Sequence, residues 1–302
     1  MNIIETDRLT RRFRGAEAVH ELTLAVPKGS LFALLGANGA GKTTTLKMLV
    51  NLLVPSSGSA RVWGTDSRHL GGRELAQLGY VSENQQQPDG MTLRQLLNHC
   101  RPFYPTWNAA LEAKLLTQFE LPSDRRLGEL SRGMSLKAVL LSSLAYRPKL
   151  LVLDEPFSGL DPVARDDVTQ GLLVAAELGE TTVLVSSHDI EEVERLADHV
   201  ALLASGRLAF AETTDDLLGR FRRLEIETEQ PAAIALPATW LNWEAGPGRA
   251  SFVDSAYDRD ATERACRERF PEAAVRAHPM TLREIFVTLA RAGKPSTQGV
   301  RT

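Results

Sequence analysis

The sequence predicts an α/β fold: a mostly parallel sheet domain that carries an inserted helical subdomain, followed by a small C-terminal α+β domain. Three observations predict it. Apolar runs of strand length recur at 31–35, 150–153, 183–186 and 200–203, and stretches with helical spacing lie between them. A run that is apolar at every position suits a strand buried on both faces, and strands alternating with helices give a parallel sheet. Between about 88 and 146 the strand-like runs stop and apolar residues follow helical spacing alone; after about 221 the texture changes again to short alternating segments.

The size of the chain, 302 residues, suits one large domain and one small one. Hydrophobic residues at 43% and charged residues at 24% exclude a largely disordered chain. The 35 Lys and Arg against 38 Asp and Glu give a net charge of −3, which argues against a nucleic-acid binder. Cys100 and Cys266 lie too far apart in sequence to suggest a metal site or redox pair, and read as reduced residues of a cytoplasmic protein. A membrane span needs about 20 apolar residues in a row, and the apolar runs here are far shorter. Any membrane part must therefore come from another chain. Residues 1–7 lack the basic and apolar regions of a secretory signal.

Taken in order, residues 1–30 read as short strands with turns, among them the alternating stretch 22–26, which Pro27-Lys28-Gly29 ends. After Lys42 a helix places Leu46, Leu49, Val50 and Leu53 on one face, and Pro55 follows its end. Tyr80-Val81 is a strand piece. In the helical subdomain, about 88–146, Leu93, Leu96 and Leu97 form one face, Leu111, Leu115 and Phe119 a second, and Leu136, Val139, Leu140 and Leu144 a third. Helices are expected at 166–178 and 190–198. The sheet domain is expected to end at 220. In 221–302, residues 224–228 alternate like a strand, and 240–244 and 251–257 flank Gly246-Pro247-Gly248 as a hairpin. Helices follow at 260–270 and 282–290, with Val275 in a strand between them. Trp240, Trp243 and Phe252 read as a small core, and residues 294–302 as a flexible tail.

The chemistry begins after the run 31–35. Gly36-Ala37-Asn38-Gly39-Ala40-Gly41-Lys42-Thr43 has the spacing G-x-x-x-x-G-K-[ST], between a buried strand and an apolar-periodic helix. Glycines let backbone N–H groups turn inward around phosphate oxygens, and the helix start adds its unpaired donors and positive dipole end. Lys42 places a point charge on the β- and γ-phosphates, the Thr43 hydroxyl can ligate Mg²⁺, and Thr44 follows in the first helical turn. The run 150–153 ends in Asp154-Glu155, at the carboxyl end of a parallel strand, where ligands bind in such sheets. Asp154 would hold Mg²⁺ and Glu155 could polarise an attacking water.

The combination resembles the ATP-binding-cassette ATPases, over about residues 3–220. Leu130-Ser131-Arg132-Gly133-Met134 stands where that family has its signature, ahead of a periodic helix; Ser158-Gly159-Leu160-Asp161 resembles the loop after the acidic pair, and Val183-Leu184-Val185-Ser186-Ser187-His188 ends in the family's switch histidine. Alone, Ser131 would be an ordinary helix cap and His188 a surface histidine; their order along the chain carries the resemblance. It implies that Phe13 stacks on adenine, that 36–44 hold the phosphates of ATP, that Ser131, Arg132, Gly133 and Asp161 complete the nucleotide site, and that Glu155, His188 and Lys42 are catalytic. Thr43, Glu83 and Asp154 would hold Mg²⁺. Glu83 and the pair Arg132 and Met134 depart from the usual glutamine, glycine and glutamine, in the manner of the type-2 exporter branch.

The resemblance further implies a P-loop NTPase sheet domain that works as a head-to-tail dimer, with a second copy of itself or a paralogous ATPase. Two ATP molecules lie at the interface. It implies a transmembrane permease as partner, docked near 84–97, and a cytoplasmic location, peripheral on the inner face of the membrane. An importer ATPase or a soluble non-transport ATPase of the same family is the alternative.

Overall fold

The computed structural model describes residues 1–82, 85–177, 181–227, 236–271 and 273–292. The chain forms two compact units, residues 1–212 and 213–302.

The first unit opens with β1 (Asn2–Phe13), β2 (Ala16–Leu22), β3 (Ala25–Pro27), β4 (Leu31–Leu35), α1 (Lys42–Leu49), β5 (Ser57–Val62) and β6 (Thr65–Asp66). Next come α2 (Gly72–Leu75) and β7 (Leu78–Ser82), then the helical insertion of α3 (Leu93–Cys100), α4 (Ala109–Gln118) and α5 (Arg132–Leu144). The unit closes with β8 (Leu150–Asp154), α6 (Pro162–Glu177), β9 (Thr182–Ser187), β10 (His199–Ala204) and β11 (Arg207–Thr213). A six-stranded sheet has the order β11-β10-β4-β9-β8-β7. The pairs β10·β4, β4·β9, β9·β8 and β8·β7 are parallel. Every residue of β4, β8 and β9 is buried, as a sheet covered on both faces requires. A second, antiparallel sheet is built on β1, which pairs with β2, β3 and β5.

In the first unit the stretch 22–26, expected as one strand, is divided between the end of β2 and β3, and three further features differ from the sequence expectation. The short strands expected over 1–30 include one 12-residue strand, β1. Its apolar alternation is interrupted at Arg8, whose φ is +44°, and by register shifts beside Leu9, so the period-two signal is broken while the pairing continues. The helix after Lys42 ends at Leu49, and Asn51 turns in a left-handed conformation at φ +60°, which takes Leu53 off the helical face. The helix expected at 190–198 is a run of turns. Val193 and Leu196 bond three residues back while Glu194 and Ala197 bond four back, so no continuous ladder forms although Val193 and Ala197 are buried.

In the insertion, each helix starts at a capping side chain. Thr92 caps α3 in a reciprocal box with Gln95, Asn108 caps α4 and Ser131 caps α5. The apolar faces read from the sequence pack inward through Leu93, Leu97, Leu115, Phe119, Leu140 and Leu144.

The second unit comprises α7 (Thr214–Arg220), β12 (Arg222–Glu227), β13 (Trp240–Gly246), β14 (Arg249–Asp254), α8 (Arg259–Arg269), β15 (Ala274–Pro279) and α9 (Leu282–Ala292). Its antiparallel sheet has the order β13-β14-β12-β15. The division falls at 212/213, ahead of the expected 220/221, because α7 is tied into this unit: Arg220 donates to the Ser255 carbonyl at 2.7 Å and accepts from the Tyr257 N–H at 2.9 Å. Trp240 stacks on Phe252 with ring centroids 4.1 Å apart, and Leu224, Ile226, Cys266 and Phe270 complete the core. Among the described residues no helix is long and apolar enough to cross a membrane. The expected tail at 294–302 lies outside the described residues.

Candidate functional site

Parallel register brings the carboxyl ends of three strands together. Leu35 of β4 pairs with Ser187 of β9, and Ser186 of β9 pairs with Asp154 of β8. The loop 36–41 leaves β4 at this edge and enters α1. It runs against backbone on two sides: a Cβ at Gly36 would lie 2.5 Å from the Leu203 carbonyl oxygen, and one at Gly41 2.4 Å from that of Ala18. Gly41 also has a φ of +102°, so glycine is required there for both reasons. No side chain caps α1. The N–H groups of its first turn are therefore available to an anion.

Lys42 is buried, with 5% of its side chain exposed. Its Nζ donates to the Gly36 carbonyl at 2.6 Å and the Ala37 carbonyl at 3.3 Å, and lies 2.9 Å from Glu155 Oε1. The opposite carboxylate oxygen, Oε2, is 2.7 Å from His188 Nδ1 and accepts the His188 backbone N–H at 3.3 Å. Glu155 itself has a left-handed φ of +52°, an uncommon conformation for this residue. Its backbone N–H is held by Ser186 Oγ at 3.0 Å. Burial raises the Glu155 carboxyl, but hydrogen bonds and charge from Lys42 and His188 outweigh it, and its pKa lies below the ordinary value.

Asp154 Oδ1 accepts the Thr43 hydroxyl at 2.9 Å and the Ser186 hydroxyl at 2.8 Å. Burial pushes its pKa up; the two hydroxyls oppose this and the Glu155 charge adds to it. A raised carboxyl pKa means that this group favours the fold below its unfolded pKa, and that the advantage is lost as pH rises through the folded value. Asp154→Asn keeps an oxygen acceptor for both hydroxyls and removes the buried charge. At pH 7, without nucleotide, the variant is expected to melt higher by about 2–4 °C in calorimetry; a lower Tm would contradict the assignment of burial as the dominant cause.

The remaining expected residues have local roles in this chain. Ser131 Oγ accepts the Met134 N–H at 3.3 Å, and Asp161 Oδ1 accepts the Ala164 N–H at 2.9 Å, so both cap helices. Gly133 faces Ala164, and the Arg132 guanidinium packs on Gly159. Phe13 is exposed at 46%, with the Arg11 guanidinium 4.7 Å from its ring centroid. A cavity of about 100 Å³ is lined by Arg132, Ser135, Ser158, Gln85 and Glu155 among others. Lys42, Thr43, Asp154, Glu155 and His188 are thus brought together. Among the described residues no hydrogen bond or ion pair joins Phe13, Ser131, Gly133 or Asp161 to them. Glu83 lies outside the described residues.

Ser186 was not expected at the site, yet it holds both acids of the pair. Its signal is a serine at the end of an apolar strand that neighbours the strand of the acids.

The residues present fit ATP and Mg²⁺. The loop is pressed against the Leu203 and Ala18 carbonyls at Gly36 and Gly41, where only glycine fits, the helix start is uncapped, and Thr43 and Asp154 offer the hard oxygen donors that Mg²⁺ prefers. Sheet order and the place of the loop in it define a P-loop nucleoside triphosphatase. A family model described as ABC transporter matches residues 19–158. The bacitracin transport ATP-binding protein BcrA of Bacillus licheniformis is 31% identical over 78% of this chain and 78% of its own length. The daunorubicin/doxorubicin resistance ATP-binding protein DrrA of Streptomyces peucetius is 36% identical over 71% of this chain and 66% of its own length. A solved structure described as the ATP-binding subunit of an ABC transporter superposes with a TM-score of 0.65 at 27% identity, covering 71% of this chain and 91% of that one. The chain belongs to the ATP-binding-cassette transporter ATPases and is an ATP hydrolase.

Proposed function

We propose that this chain is the ATP-hydrolysing subunit of an exporter, working on a separate membrane permease through ATP-driven closure of a dimer. The observation that carries the reading is Glu155 held between Lys42 and His188. In the proposed cycle the loop 36–44 binds the phosphates, and Lys42 turns from Glu155 to the β- and γ-phosphates. That frees Glu155 Oε1 to accept a proton from the attacking water. His188 holds Oε2 and contacts the γ-phosphate. Thr43 and Asp154, with Glu83, would hold Mg²⁺, which neutralises phosphate charge when bound. Phe13 would stack on adenine, and Ser131, Arg132, Gly133 and Asp161 of a second copy, or of a paralogue, would close the site. A self-complementary dimer of this kind has twofold symmetry. Loss of the γ-phosphate removes the contacts across the interface and opens the dimer.

Export is favoured by the similarity to DrrA, a drug-resistance ATP-binding protein, and to BcrA, a bacitracin transport ATP-binding protein. The segment 85–90, exposed except at Gln87 and leading into α3, supports docking of the permease there. The second unit would support the dimer or regulate it. In the cell the chain would sit on the cytoplasmic face of the membrane. Affinity purification should retain a multi-span membrane protein, and Asp89→Arg should lower its recovery by about tenfold. Recovery of the permease unchanged by the charge reversal would exclude docking at this segment. Purification with a substrate-binding protein of an importer would exclude export.

A further inference from the structure

We propose that Glu192 is a positioning residue for hydrolysis: with Ser187 and Arg165 it fixes the segment that aims His188 at Glu155. The inference rests on the catalytic reading of His188 given above.

The His188 side chain is 41% exposed, so packing alone does not hold its ring. The chain beyond it is a run of turns without a helical ladder. Its orientation must come from fixed points on either side. One is Ser187, fully buried at the end of β9, whose Oγ accepts the Asp189 N–H at 3.0 Å and so brackets His188 in a tight turn. The same oxygen donates to Glu192 Oε2 at 2.6 Å, a short charge-assisted bond. Glu192 has only 4% of its side chain exposed, and its other oxygen lies 3.4 Å from Arg165 Nη2 on α6. The bracket around His188 is thereby anchored to the helix that begins just after the Ser158–Asp161 loop.

A hydroxyl has one hydrogen to give. Without Glu192 the Ser187 hydrogen turns to the Asp189 carbonyl, also in reach at 2.9 Å, and the bracket loses its link to α6. Burial raises the Glu192 carboxyl above its ordinary value. A group so costly to bury is held by its two partners, and breaking either bond releases it toward solvent.

The test uses the purified chain with Glu192→Gln, which keeps the side-chain shape, and Glu192→Ala, in single form and combined with His188→Ala. The ring resonances of His188 are followed by NMR, and kcat and KM for ATP are measured. The expected result is a shift of the His188 ring resonances in Glu192→Ala, with a kcat lower by about tenfold and KM within about twofold, and smaller changes in Glu192→Gln, whose amide oxygen can still accept the Ser187 hydroxyl. In the double variant the loss should be no larger than in His188→Ala alone, because both changes act through one ring. Unchanged ring resonances in Glu192→Ala, or losses that multiply in the double variant, would overturn the proposal. Wild-type turnover in His188→Ala would instead remove the catalytic reading of His188, while the ring resonances still decide whether Glu192 positions it.

Discussion

Glu155→Gln is expected to lower ATP turnover by about 10²–10³-fold while leaving nucleotide binding intact. The amide has nearly the shape of the carboxylate, so the left-handed turn at φ +52° and the backbone bond to Ser186 can persist. What it loses is the ability to accept a proton from water. A paired consequence follows from the proposed dimer. If hydrolysis opens the interface, a variant that binds ATP without cleaving it should accumulate as a closed dimer in ATP and Mg²⁺. Light scattering should then report twice the monomer mass for the variant, and a mixture for the wild type. A variant that stays monomeric with ATP bound would refute dimer closure; turnover within about twofold of wild type would refute Glu155 as the base.

Lys42→Met should have two separable effects. The first is on the nucleotide: with the cation gone from the phosphate cradle, ATP affinity is expected to fall by at least about 100-fold in calorimetric titration. The second is on the empty protein. Lys42 and Glu155 are both at least nine-tenths buried in their side chains, and Lys42 is among the causes that keep the Glu155 pKa down. Removing it leaves a buried carboxylate without its lysine cation and with His188 as its remaining hydrogen-bond partner, which should cost about 1–3 kcal/mol at pH 7. The sign can be checked against pH. A lowered carboxyl pKa supplies stability above the unfolded value of 4.5, and that contribution disappears as pH falls through the folded pKa. The gap between variant and wild type in urea unfolding should therefore be wide at pH 7 and narrow below about pH 4. A gap independent of pH would mean that Lys42 stabilises through its carbonyl bonds to Gly36 and Ala37 instead.

Much of this site was legible before any coordinates, and the reason is physical. Lys42, Asp154, Glu155 and His188 each follow a run of apolar residues that can only be a buried strand, and parallel sheets place such strand ends side by side. The sheet architecture and the helical insertion were legible on the same ground. Residues whose role depends on geometry across the chain were not. Ser186 is a common residue inside an apolar run, and only register places it between the two acids. Glu192 lies in the stretch 190–198, expected as a helix, because the turns that bury it carry helical spacing at Val193 and Ala197. β1 was hidden by its irregular pairing, and the true edge of the second unit by the bonds of Arg220, which sequence does not display.

The ion pair of Lys42 and Glu155 matches a buried cation with a carboxylate of the same chain. In the proposed cycle, capturing ATP is an exchange of anions at a single cation: an internal one leaves as an external one arrives. The carboxylate would then be let go only when a phosphate has taken its place, and an idle subunit would keep its proposed base muzzled.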